Sequence, residues 1–95
     1  MANPKSLEKA LESSRYMLKA QDFHGEDLSG ADLSRAYLHG ADLSYCDLTN
    51  TDLSHANLKY ANLSHANLTG AKITKTRMNH ARLVGAIMPD GKSND

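Results

Sequence analysis

From Gln21 onward an apolar side chain recurs at every fifth position: Phe23, Leu28, Leu33, Leu38, Leu43, Leu48, Leu53, Leu58, Leu63, Leu68, Ile73, Met78, Leu83 and Met88. Two places before each stands a small residue, Ala31, Ala36, Ala41, Cys46, Thr51, Ala56, Ala61, Ala66, Ala71, Thr76, Ala81 or Ala86. Gln21 and Glu26, in the first two units, are the exceptions. The position between the two is most often Asp or Asn and is polar, charged or aromatic in every unit but the last, which has Ile87. Fourteen such units run without a break from Gln21 to Asp90.

A period of five fits neither regular element. On an α-helix each step of five turns the side chain by about 140°, so the leucines would spiral around every face. On a flat strand five is odd, and successive leucines would alternate between opposite faces. One continuous core therefore requires the chain to change direction once per unit. Three extended residues followed by two turning ones satisfy this, and the turning positions are rich in Ser, Thr, Gly, His and Asn. The chain coils, and its stacked coils pair through backbone hydrogen bonds about 4.8 Å apart.

Tandem units such as Ala31-Asp32-Leu33-Ser34-Arg35 and Ala66-Asn67-Leu68-Thr69-Gly70 resemble the pentapeptide-repeat family. The resemblance implies an all-β solenoid, a right-handed quadrilateral β-helix with four units per coil and the leucine and small residue inside. Fourteen units would then make about three and a half coils, a column roughly 17 Å tall at sheet spacing.

A solenoid exposes its core and its strand edges at both ends. Residues 1–20 are expected to cap one end, with a helix over 4–20. Asn3 suits the N-cap, Pro4 the first helical position, and Leu7, Ala10, Leu11, Ser14, Met17 and Leu18 fall on one stripe. Residues 21–90 form the β-helix. After Met88, Pro89-Asp90-Gly91 reads as a turn and stop, leaving 91–95 as a polar C-terminal tail that covers Met78, Leu83, Ile87 and Met88 poorly.

Ninety-five residues bound the chain to one small domain, and its formal charge is zero. Cys46 is the sole cysteine, so no intrachain disulfide forms and a reducing compartment, the cytoplasm, is expected. No stretch approaches the eighteen apolar residues of a membrane span, and no membrane partner is expected. The charge is unevenly placed along the chain. Gln21 to His55 carries seven acids and Arg35, a net −6; Ala56 to Asp90 carries five bases and Asp90, a net +4. Stacking at twenty residues sets Asp22 over Asp42, Asp27 over Asp47 and Asp32 over Asp52.

Candidate chemistry is sparse. His24, His39, His55, His65 and His80 all fall on turn positions, without the spacing of a zinc site. Stacking gives His39, Tyr60 and His80 one face in successive coils. Cys46 takes an inward position and reads as a buried thiol. There is no GxSxG serine and no glycine-rich phosphate loop. Catalytic, cofactor-binding and metal residues are therefore none, and no cofactor or enzymatic activity is expected. The function expected is a protein-interaction or scaffold module with an unidentified protein partner, and a homodimer through the C-terminal coil. Some members of the family it resembles are acidic dimeric rods that imitate DNA and protect gyrase, which makes a DNA-mimicking binder the alternative. Nucleic acid itself is disfavoured as a partner, because the five bases of the second half lie on several faces near a single aromatic, Tyr60.

Overall fold

The computed structural model describes residues 18–94. Its working unit is seen at Leu33. The Leu33 amide donates to Asp52 O (2.8 Å) and the Arg35 amide to Ser54 O (2.9 Å), while the Asp52 amide donates back to Ala31 O (3.0 Å). Within the unit, Ala36 N–H donates to Leu33 O at 3.1 Å and closes a four-residue turn. The third residue of that turn, Arg35, has φ of +62°, the sign a type II turn requires there. The equivalent residue of every unit from Ala20 to Gly85 also has positive φ.

Parallel bridges from Asp22↔Asp42 to Asn67↔Ile87 each join residues twenty apart. Twenty residues are four units, so each coil has four sides. Side I stacks 21–25, 41–45, 61–65 and 81–85. Side II stacks 26–30, 46–50, 66–70 and 86–90. Side III stacks 31–35, 51–55 and 71–75, and side IV stacks 36–40, 56–60 and 76–80. Each side holds single bridges rather than long ladders, because two of every five residues are spent turning. Among the described residues, regular strand pairing is confined to β1 (Ala86–Ile87) and β2 (Ser93–Asn94).

The core follows the period of five. Leu28, Leu33, Leu38, Leu43, Leu48, Leu53, Leu58, Leu63 and Leu68 are all buried, with Ala36, Ala41, Ala56, Ala61 and Ala66 beside them. Where the small residue is not alanine, its polar atom finds a carbonyl. Cys46 Sγ lies 2.9 Å from Phe23 O, Thr51 Oγ1 donates to Leu48 O (2.8 Å), and Thr76 Oγ1 donates to Leu53 O (2.7 Å). A buried hydroxyl left without a partner would be destabilising, so these bonds let Thr replace Ala inside.

Both ends differ from expectation. Leu18, assigned above to a helical stripe, is buried in the column and donates to Tyr37 O at 3.0 Å; Ala20 donates to His39 O at 2.9 Å. Residues 18–20 thus belong to side IV, and the capping helix expected before them lies outside the described residues. At the other end, the tail does not trail away. Gly91, with φ of +84°, turns the chain so that β2 pairs antiparallel with β1, Ile87 opposite Ser93 and Ala86 opposite Asn94. Met88 N–H donates to Lys92 O (2.8 Å), Gly85 N–H to Asn94 O (3.1 Å) and Asn94 Nδ2 to Leu83 O (3.1 Å). The Pro89-Asp90-Gly91 stop is a hairpin turn.

Candidate interaction faces

The Asp and Asn at the centre of each side are tied into the backbone. Asp32 Oδ1 accepts from Ser34 N–H (3.0 Å) and Ser34 Oγ (2.6 Å), and the same pair of bonds joins Asn62 to Ser64. An acceptor one place before the leucine therefore satisfies the amide one place after it, which explains why Asp and Asn interchange there. Hydrogen bonds from the Ser44 hydroxyl and amide hold the Asp42 carboxyl below the usual carboxylate range, and Ser54 does the same for Asp52. The stacked aspartates are thus partly engaged in structure. Sequence spacing located them but gave no sign of this role.

At the corner between sides I and II, three residue types of a nucleophilic triad come together in the wrong order. The Ser44 hydroxyl donates to Asp42 Oδ1 (2.5 Å), and His24 Nδ1 lies 2.7 Å from Ser44 Oγ. A hydroxyl has one proton, and the carboxylate accepts it, so His24 Nδ1 carries the proton shared with the serine. A nucleophilic triad needs the histidine between acid and serine. Here the serine lies between, and it is buried.

Two ladders of rings border side I. At the corner with side II, His24 meets the edge of Tyr45 (centroids 5.4 Å apart) and Tyr45 stacks on His65 (4.8 Å, 22°). At the corner with side IV, His39 leans on Tyr60 (5.4 Å) and Tyr60 stacks on His80 (4.9 Å, 12°). Tyr45 and Tyr60 remain 58% and 57% exposed. The expected alignment of His39, Tyr60 and His80 is present. The parallel ladder through Tyr45 was not anticipated, since His24 sits one place earlier in its unit and reaches across above Tyr45. Among the described residues, no three of His, Cys, Asp and Glu gather as metal ligands. Cys46 is buried, and burial pushes its thiol up to about 11.

Charge is also sorted around the column. The acids Asp22 and Asp42 lie on side I, Glu26, Asp27, Asp47 and Asp90 on side II, and Asp32 and Asp52 on side III. Side IV has none, and it holds Lys59 and Arg77, with Arg35 and Lys75 on the corner it shares with side III. At that corner an open cleft of about 500 Å³ is lined by Arg35, His55, Asn57, Lys75 and Arg77. Of the five bases of the second half, Lys59, Lys75 and Arg77 thus gather on side IV and this corner, while Lys72 lies at the centre of side III and Arg82 on side I. Among the described residues, no helix is long and apolar enough to cross a membrane.

Four stacked sides, inward leucines and left-handed corners define a quadrilateral β-solenoid. The family model for pentapeptide repeats matches eight copies over residues 21–54 and 51–88, and the chain belongs to that family of right-handed quadrilateral β-helices. No curated protein matches the chain. Among solved structures it is similar to HetL, a pentapeptide repeat protein involved in heterocyst differentiation regulation from the cyanobacterium Nostoc sp., at 39% identity and TM-score 0.56, over 81% of this chain and 42% of HetL. It is similar to a pentapeptide repeat protein of the Arabidopsis thaliana thylakoid lumen at 30% identity and TM-score 0.57, covering 79% of this chain and 66% of that one. The plasmid-mediated fluoroquinolone resistance protein QnrB1 shares the fold, at 24% identity and TM-score 0.60, over 77% of this chain and 41% of QnrB1. The chain thus spans about two-fifths to two-thirds of the length of these structures.

Proposed function

We propose that this chain is a non-catalytic interaction module that docks a partner protein on side I, between its two ring ladders. The carrying observation is the pair of exposed tyrosines, Tyr45 and Tyr60, each held by histidine rings on a backbone fixed by inter-coil hydrogen bonds. Tyrosine supplies large amphipathic contact area, and a ring already immobilised loses little further entropy on binding. Between the ladders, Asp22, Asp42, Asn62 and Arg82 offer a graded polar strip from acid to base. The test is affinity capture from source-cell extract with wild type and with a Tyr45→Ser/Tyr60→Ser variant. A partner held by the first and lost by the second supports the reading. Capture that ignores the substitutions, or none at all, sinks it.

The alternative, a DNA-mimicking binder of an enzyme such as gyrase, draws on the stacked pairs Asp22/Asp42, Asp27/Asp47 and Asp32/Asp52. Duplex DNA presents about one negative charge per 1.7 Å on all sides. Side IV has no acid, and Lys72, Arg77 and Arg82 continue the column below Asp52, Asn57 and Asn62. A supercoiling assay with purified gyrase is expected to show no inhibition by this chain.

A further inference from the structure

The four corners are not built alike. The corner between sides II and III carries Gly30, Asn50 and Gly70, residue types that accept positive φ readily. The corner between sides III and IV carries Arg35 (φ +62°), His55 (+61°) and Lys75 (+55°), with neither Gly nor Asn at any described level. Two long basic side chains, with an imidazole between them, thus occupy a conformation that disfavours them, in three successive coils. Coils lie about 4.8 Å apart, so Arg35 and Lys75, two coils or about 9.6 Å apart at that spacing, repel each other down the corner. No carboxylate lines the cleft they form; Arg77 and the amide of Asn57 complete it. The Asp52 carboxyl on side III is engaged chiefly by Ser54, with His55 the least of the influences on it.

We propose that this cleft binds a phosphate group carried by a phosphorylated segment of a partner protein. The claim rests on the protein-interaction reading above but concerns a different face. Two guanidinium groups, one ammonium and one imidazole converge on a single open space. Guanidinium forks match the oxygens of a phosphate, and a dianion offsets two of the three positive charges where a single carboxylate would offset one. The space admits the phosphate with part of the chain bearing it. A single-stranded polynucleotide is the poorer fit, because it needs free ring faces for base stacking. The ring faces of Tyr60 and His80 are turned to each other, Tyr37 above Asn57 leans on His39 (centroids 5.9 Å apart), and Lys59 lies outside the cleft.

The test is a titration of isotopically labelled full chain with inorganic phosphate, O-phosphoserine and a short single-stranded oligonucleotide, followed by amide shifts. Phosphate and phosphoserine are expected to give saturable shifts confined to Arg35, His55, Lys75 and Arg77. Arg77→Gln should weaken phosphoserine binding at least about tenfold, the loss of one charge-assisted contact. Arg82→Gln, which removes the same charge from side I, should change it less than about twofold. Unchanged spectra elsewhere verify that both variants are folded. Absence of saturable shifts overturns the proposal while leaving partner capture through side I untouched. Equal losses in the two variants overturn it in favour of diffuse charge attraction. An oligonucleotide that outcompetes phosphoserine and shifts Lys59 as well overturns the protein source.

Discussion

Gly85 lies directly below His65, and a Cβ built on Gly85 would overlap the imidazole ring. The relationship explains why the ring ladder His24–Tyr45–His65 ends where it does: the next residue down the corner has no side chain, and His65 fills that space. Gly40 has the same φ of +71° but nothing within reach of an added Cβ.

Gly85→Ala is therefore expected to destabilise more than Gly40→Ala. Both force alanine into the left-handed region, at about 1 kcal/mol. Gly85→Ala also displaces His65 from Tyr45, adding about 0.5–1.5 kcal/mol for the lost ring pair. Urea unfolding of the two variants measures the difference. Equal costs would mean that the stack contributes nothing.

Leu53 and Ser54 are neighbours with opposite duties. Leu53 is fully buried mid-column, so Leu53→Ala should cost about 2–5 kcal/mol. Ser54 occupies a turn position yet is buried too, donating to Asp52 Oδ1 at 2.6 Å. Ser54→Ala should then cost about 0.5–1.5 kcal/mol, a lost hydrogen bond rather than nothing. Thermal unfolding that ranks the serine above the leucine would contradict the inward assignment.

How much of this was legible follows from what a five-residue period encodes. It names the inward leucines and, folded at twenty, the stacked aspartates and the His39–Tyr60–His80 line. Leu18 was obscured because it fits a helical stripe as well as the period of five, and the residue two places before it is Tyr16 rather than a small one. The acid-free side IV was also present in the numbers, but reading charge in chain order shows only the gradient along the column. It takes the stacking of Arg35 over His55 and Lys75 to bring a base from the acidic half beside Arg77. The tail hairpin had a weaker signal, since Ser93 and Asn94 are poor strand formers and pair only because Gly91 turns them onto an open edge.

The bonded aspartates set an acid limit on stability. Asp42 and Asp52 have carboxyls held below their ordinary value, chiefly by the Ser44 and Ser54 hydrogen bonds. A group with a depressed folded pKa contributes stability that is present above its unfolded value, about 3.9, and lost as pH falls through the lower folded value. Asn62 shows that an amide preserves the same bonds, at 3.0 and 2.6 Å to Ser64. Asp42→Asn/Asp52→Asn should therefore stay folded at pH 7 and lose less stability than wild type as pH falls below about 4. Identical acid profiles would assign the acid sensitivity to other groups.

The lower end of the column leaves backbone donors without a coil beneath them. In the coil above, Leu53, His55, Leu58 and Tyr60 donate to the next coil, but among the described residues the amides of Ile73, Lys75, Met78 and His80 have no such acceptor. Ile73 and Met78 are half-buried there, on sides III and IV. The tail shields side II, where Ile87 is already paired to Asn67 and Ser93. A two-fold dimer through this end should therefore use sides III and IV, edge to edge. Met78→Lys is expected to abolish it and Ile87→Lys to leave it intact, with circular dichroism confirming that both variants fold. Lys72, Lys75, Arg77 and Arg82 would approach their copies across such an interface, so added salt should strengthen it by screening them beyond about 8 Å at physiological ionic strength. A side-by-side dimer, acidic half against basic half, would instead weaken with salt and survive Met78→Lys. Sedimentation at low and high salt separates the two, and a monomer at every salt concentration rejects both.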